Sequence, residues 1–145
     1  MPTLNYYLNA LGRCGTAFRE DRLQGTDIGA NDFPYLFRIC RHPGLSQDAL
    51  ARALYVHKCR VTRCVSRLEA AGYLTRTQDP ADKRALLLYP TQKALEALPL
   101  LREINAAWQE ALTADFTPEE AAQFHTLLER ALVNARATVE KEERA

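Results

Sequence analysis

Tyr55-Val56-His57-Lys58-Cys59-Arg60-Val61-Thr62-Arg63-Cys64-Val65-Ser66-Arg67-Leu68 is the stretch that decides how the rest of this chain is read. On a helix of about 3.6 residues per turn, Val61, Cys64, Val65 and Leu68 fall in one apolar sector, the i, i+3, i+4, i+7 spacing of a face pressed on a core. Arg60, Arg63 and Arg67 fall together on a neighbouring face, within a sector of roughly 60° by the same geometry. His57, Lys58 and Thr62 lie at or near the helix start, outside that basic stripe. Cations neutralise phosphate, and an arginine can hold a guanine edge through two hydrogen bonds. The stretch reads as a helix that recognises nucleic acid. An amphipathic helix with a solvated basic face has the same spacing, so the flanking sequence has to separate the two readings.

Just upstream, Leu45-Ser46-Gln47-Asp48-Ala49-Leu50 carries a helix start. Ser46 suits the N-cap, Asp48 sits in the positive first turn, and Leu45 can staple to Leu50. This helix runs from Ser46 to about Leu54 and leads through Tyr55-Val56 into the basic helix. Two helices joined tightly, the second basic, make a helix-turn-helix. Just downstream, Gly72 suits a C-cap, and residues 73–77 and 85–89 are strand-like. Between them lies the polar loop Gln78-Asp79-Pro80-Ala81-Asp82-Lys83-Arg84, which ends in two adjacent cations. A helix-turn-helix followed at once by such a hairpin is a winged helix. A solvated helix face alone does not explain a basic hairpin tip in the next segment.

Charge distribution agrees. The whole chain carries only +1, but residues 52–84 carry eight Lys/Arg against three acids, a local +5, while residues 113–145 carry seven acids against four bases. It is the local field that steers association with DNA. The flanks are helical. Residues 4–23 place Leu4, Tyr7, Leu8, Leu11, Thr16, Phe18 and Leu23 around more than one face, which points to burial on a second surface or subunit; Gly12 and Gly15 would permit close approach of another backbone. Asn31 or Asp32 can cap a helix with Pro34 in its first turn, ended by His42-Pro43-Gly44. Thr91 can cap a long helix to about Thr113, kinked at Pro99. Phe116-Thr117-Pro118-Glu119-Glu120 starts a last helix that frays over residues 140–145.

Several classes fall away. No Gly-rich phosphate loop, HExxH or nucleophile elbow occurs, and His42, His57 and His125 have no nameable catalytic partner, so an enzyme is not expected. Cys14, Cys40, Cys59 and Cys64 show no zinc spacing. Cys59 and Cys64 diverge by about 140° on one helix and cannot close a disulfide there. Neither metal nor cofactor is expected. No apolar run approaches membrane-spanning length, and the start lacks a signal-peptide pattern, so a cytoplasmic location is expected.

The run Leu45-Ser46-Gln47…Leu50-Ala51…Val61-Thr62-Arg63…Leu68-Glu69…Gly72-Tyr73-Leu74…Arg76…Asp79-Pro80-Ala81-Asp82-Lys83-Arg84-Ala85 resembles the MarR family of bacterial transcriptional regulators, over roughly residues 30–113. The resemblance implies a mainly α chain with a small β-hairpin wing. Residues 30–90 would form the winged-helix DNA-binding lobe, and 1–25 with 91–140 a helical dimerisation lobe. It implies a homodimer on a palindromic double-stranded DNA operator, usually repressive and relieved by oxidation or by a small effector, aromatic or phenolic. By position, Arg84 resembles the wing arginine of the minor groove and Asp82 the acid that holds it. Arg60, Thr62 and Arg63 match positions that meet bases and phosphates. Ser46, Gln47, His57, Lys58, Arg67, Arg76 and Lys83 complete the candidate DNA-facing set. The family's effector pocket is usually lined by the first, second and fifth helices, where Tyr7, Phe18, Phe33, Phe37 and Trp108 could contribute, although core packing explains each. Some relatives carry a reactive cysteine in the first helix, near Cys14; Cys59 lies beside the DNA-facing positions. Two departures stand out. Ala94 replaces a common glycine, and His57-Lys58-Cys59 opens a helix that usually opens with small hydroxyl residues. A winged helix that binds only protein is the alternative; it has no need of Arg60, Arg63, Arg67, Lys83 and Arg84 together.

Overall fold

A computed structural model describes residues 1–144. The elements run α1 (Leu4–Arg22), α2 (Phe33–Arg41), β1 (Leu45–Ser46), α3 (Gln47–Leu54), α4 (Lys58–Ala70), β2 (Leu74–Gln78), β3 (Leu86–Pro90), α5 (Gln92–Leu112) and α6 (Pro118–Arg144). They form two compact units, Met1–Trp108 and the residues from Gln109 onward.

The core of the first unit is built on the apolar strip expected of α4. Val61, Cys64, Val65 and Leu68 are buried with Leu36 and Ile39 of α2, Leu50 of α3, Leu74 and Leu88 of the sheet, and Leu101 and Ile104 of α5. Fully burying one such aliphatic side chain contributes about 1.5–3 kcal/mol, more than any exposed ion pair on the surface.

Helices begin and end where their capping chemistry allows. Ser46 Oγ accepts the Ala49 amide at 3.0 Å, as expected of an N-cap. Asp32 occupies the N-cap position of α2 but makes no side-chain cap bond; its carboxylate is used elsewhere. Both helices of the helix-turn-helix end in the same motif. After α3, the Val56 amide donates to Ala51 O and the Tyr55 amide to Arg52 O; after α4, Tyr73 donates to Leu68 O and Gly72 to Glu69 O. The left-handed position is Gly72 in the second case, φ 84°, and Tyr55 in the first, φ 54°. A tyrosine there is costly, and it holds the tight turn that aims α4.

The sheet has three antiparallel strands in the order β1-β3-β2, not the two of a bare hairpin. Leu45 pairs with Leu88 and Ser46 with Leu87; β2 and β3 run from Leu74 opposite Pro90 to Gln78 opposite Leu86. Leu45 therefore enters the fold as a strand residue.

In α1, Gly15 meets a side chain and not another backbone: a Cβ there would stand 3.3 Å from the Trp108 indole. The second unit opens with a reciprocal capping box, in which Glu120 N donates to Thr117 Oγ1 at 3.1 Å and Thr117 N to Glu120 Oε1 at 3.2 Å. Phe116 packs edge-on against Phe124. The helix continues to Arg144 instead of fraying from residue 140; Ala145 lies outside the described residues.

Two polar ties brace the fold, one between segments distant in sequence and one between α4 and the adjoining β2. Lys93 Nζ donates to Asp27 Oδ2 at 2.8 Å and to Ala71 O at 2.6 Å, and lies 4.3 Å above the Tyr73 ring, whose hydroxyl also bonds Asp27. Arg76 grips Glu69 through two bonds of 2.9 and 3.3 Å. Lys93, then Tyr73, hold the Asp27 carboxyl below its usual range, and Arg76 does the same for Glu69; burial, then Asp27, push Tyr73 up to about 12. A carboxylate depressed by folding contributes stability above its unfolded pKa that is lost as pH falls through the folded value. Lys93→Met and Arg76→Met should therefore lower the melting temperature at neutral pH and flatten its fall below the ordinary carboxylate range. Thermal melts from neutral to acid pH test this; an unchanged acid limb would show that these pairs are not linked to folding.

Candidate nucleic-acid interface

The burial of one strip of α4 fixes where its other residues point. Arg60, Thr62 and Arg63 are exposed. Thr62 turns its hydroxyl back to Lys58 O at 3.0 Å. His57 caps the helix, with Nδ1 accepting the Cys59 amide at 3.2 Å. Ser46 is spent on capping α3, and beside it Gln47 keeps a buried Oε1 without a hydrogen-bond partner.

The cations divide into two groups, which the sequence did not separate. Arg67 is not free. Its Nη2 and Nε donate to Asp32 Oδ1 and Oδ2 at 2.6 and 3.1 Å, so it forms a strut between α4 and the start of α2. The Asp32 side chain is only 13% exposed against 58% for Arg67, so the carboxylate is the member that needs the pair. Arg76 is likewise tied to Glu69, and Lys58 reaches Asp48 of α3 at a looser 3.4 Å. Arg60, Arg63, Lys83 and Arg84 are exposed and form no ion pair among the described residues. Asp32, Glu69 and Asp48 were missed as partners. Only a contact map could reveal a pair such as Asp32–Arg67, 35 residues apart.

The wing tip is organised through its backbone. Asp79 Oδ1 accepts the Ala81 amide at 2.9 Å and Asp82 Oδ1 the Arg84 amide at 3.0 Å. Asp79 N closes on Ala85 O and Ala85 N on Asp82 O. Asp82 thus holds the main chain of Arg84, where a side-chain pair was expected. An aspartate two residues before the amide it binds is an ordinary turn device, and it leaves the guanidinium unengaged.

Two cavities flank the Asp32–Arg67 strut. One of about 510 Å³ is walled by Tyr35, Leu54 and Val56 and by Arg60, Arg63 and Arg67. The other, about 610 Å³, lies between α1 and the segment before α2, with Thr16, Glu20, Ile28, Asp32 and Arg67 on its walls. Neither is lined by Tyr7, Phe18, Phe33, Phe37 or Trp108. Phe18 packs on Trp108 with the Arg22 guanidinium over its ring, and Phe33 stacks on Phe37. Cys14 and Cys59 are exposed, Cys40 and Cys64 buried. Burial pushes both buried thiols up, and at Cys64 the neighbouring Asp32 adds to the effect of burial, which makes them poor nucleophiles.

The sequence profile of the MarR family matches residues 26–85. The chain is 32% identical over 108 residues to an uncharacterized HTH-type transcriptional regulator, YybA, of Bacillus subtilis, covering 74% of this chain and 72% of that protein. It is 33% identical over 118 residues to the HTH-type transcriptional regulator BilQ of Clostridioides difficile, covering 81% and 80%. The chain belongs to the MarR family. A MarR protein from Peptoclostridium difficile matches it with a TM-score of 0.92 and 29% identity, over 97% of this chain and 92% of that one. A MarR-family regulator from Listeria monocytogenes, complexed with 26mer DNA, shares the fold with a TM-score of 0.87 and 23% identity, over 92% and 89%. This MarR protein is accordingly a winged-helix, DNA-binding transcriptional regulator, with α3 and α4 as its helix-turn-helix and β2–β3 as its wing. No helix among its described residues is long and apolar enough to cross a membrane.

The strut is the feature whose removal is most informative. Asp32→Asn keeps the volume but removes the charge-assisted bonds, and should cost about 1–3 kcal/mol. Arg67→Met should cost little more in that background than Asp32→Asn alone, since the two share one interaction. Urea denaturation of the single and double variants measures this; strictly additive losses would mean that the pair carries no coupling.

Proposed function

We propose that this protein binds a palindromic double-stranded DNA operator as a cytoplasmic homodimer and represses transcription until an effector or oxidation releases it. The observation that supports this best is the contrast among the cations. Of the cations expected at the DNA, Arg60 and Arg63 on α4 and Lys83 and Arg84 on the wing have no internal counter-charge among the described residues, whereas Lys58, Arg67 and Arg76, expected there too, are paired with Asp48, Asp32 and Glu69. An exposed unpaired arginine is free to take a phosphate or a base edge at little cost. On this reading Arg60 and Thr62 face bases, Arg63 and Lys83 meet phosphates, and Arg84 enters the minor groove, which favours narrow A·T-rich steps. The Listeria protein with the same fold and bound DNA gives the reading a precedent.

Dimerisation has its own support. Leu4, Tyr7, Leu8 and Leu11 repeat at i, i+3, i+4, i+7 along α1, and all are exposed; Leu127, Leu128, Leu132 and Val133 of α6 are exposed too. Apolar stripes of this extent mark an interface. Residues 1–25 and 91–140 would form the dimer lobe and 30–90 the DNA lobe. For release, the family expectation is a small aromatic or phenolic effector, or oxidation at a first-helix cysteine such as Cys14; Cys59, beside the DNA-facing positions, is a second candidate by its place alone.

Light scattering at micromolar concentration should give twice the 16.4 kDa chain mass; a monomer that binds operator DNA would overturn this assembly. Arg84→Ala should weaken operator binding tenfold or more, about 1.4 kcal/mol or above. Asp82→Ala should weaken it as well although it removes a negative charge, because the main chain at Arg84 loses its anchor. Anisotropy titrations decide this; tighter binding by Asp82→Ala would reduce the wing to plain electrostatics.

A further inference from the structure

His57 stands at the mouth of the recognition helix and uses its two ring nitrogens differently. Its backbone is extended, φ −69° and ψ 144°, as an N-cap requires, and Nδ1 accepts the Cys59 amide. A ring nitrogen that accepts a hydrogen bond carries no proton, so in the neutral ring the proton is on Nε2. The two nitrogens lie on opposite sides of the imidazole. With Nδ1 turned to the helix amide, Nε2–H is turned away from the helix, and the residue is exposed. Among the described residues no acceptor meets Nε2, whereas neighbouring Lys58 is occupied by Asp48. The usual caps, Ser, Thr and Asp, offer oxygen to the helix. This cap turns a fixed N–H donor to the outside.

We infer that His57 determines base specificity: the capping bond fixes its ring and presents Nε2–H as a donor to a guanine edge in the major groove. This deepens the DNA-binding reading and rests on it. The N-terminal residues of a recognition helix are those that reach base edges. Guanine shows two adjacent acceptors there, O6 and N7; adenine sets an N–H donor beside its N7, and thymine has a single acceptor beside a methyl. A lone donor held in one orientation is best met by guanine. A phosphate oxygen would also accept it, but that contact carries no sequence preference.

Selection of bound sites from random duplex DNA, with wild type, His57→Ser and His57→Asn, tests this. Serine can keep the cap, but its hydroxyl sits close to the helix end and cannot reach outward as the imidazole Nε2–H does; asparagine can cap through Oδ1 and still offer N–H from a longer side chain. Wild type should select one guanine per half-site that His57→Ser no longer selects. His57→Ser should bind the wild-type motif tenfold or more weakly with its melting temperature and its affinity for random duplex nearly unchanged, and His57→Asn should recover much of the preference. Nitrogen NMR of the free protein should show His57 as the Nε2–H form. An unchanged motif and affinity for His57→Ser would make the residue a cap only and overturn the inference. So would an equal loss on motif and random DNA, or an Nδ1–H ring. A wild type that selects no motif would instead bring down the DNA-binding reading, and this inference with it.

Discussion

Four side chains on one strip of α4, Val61, Cys64, Val65 and Leu68, are withdrawn from water together, and this burial dictates what the rest of the helix does. At about 1.5–3 kcal/mol for each fully buried aliphatic group, rotating α4 to reposition a single arginine would forfeit far more than any exposed ion pair could return, roughly 0–1 kcal/mol. The helix cannot turn to suit its charges. Its charges must find partners where the strip leaves them. Arg67 is left next to Asp32 and becomes a strut. Arg60 and Arg63 are left facing outward, and are available to a ligand.

The same logic explains which parts of the molecule could be read from the sequence. Caps and periodicity are local signals, and they located the helices within a residue or two except at the end of α6, including the capping box at Thr117 and Glu120. The wing was legible because Gly72 and the polar loop bracket two short strand-like runs. β1 was not: a two-residue strand has no period, and Leu45 looks equally like the staple of the next helix.

Charge pairing was the least legible level. Asp32 has the composition and place of an N-cap, and only the folded chain shows its carboxylate turned to Arg67, 35 residues on. Asp82 does bond Arg84, but through the main chain and not through the expected side-chain pair. An aspartate two residues before an amide and an aspartate beside a guanidinium look the same in one dimension. His57 is the converse case. A departure from the family's usual small hydroxyl opening still fills the capping role, with different chemistry on its outer side.

The tie from Lys93 to Asp27, with Tyr73 beneath it, spans 66 positions of chain. Leu101 and Ile104, from the same α5, complete the core around α4. The helix-turn-helix and the wing therefore all precede, in the chain, the helix that supplies their last core residues. A nascent chain that has emerged only as far as β3 holds its whole helix-turn-helix and wing but lacks both the cation and the two aliphatic residues that seal them. The winged helix of this protein is thus complete in sequence before its core is: the Asp27–Lys93 tie and the packing of Leu101 and Ile104 can form only once α5 has followed it off the ribosome.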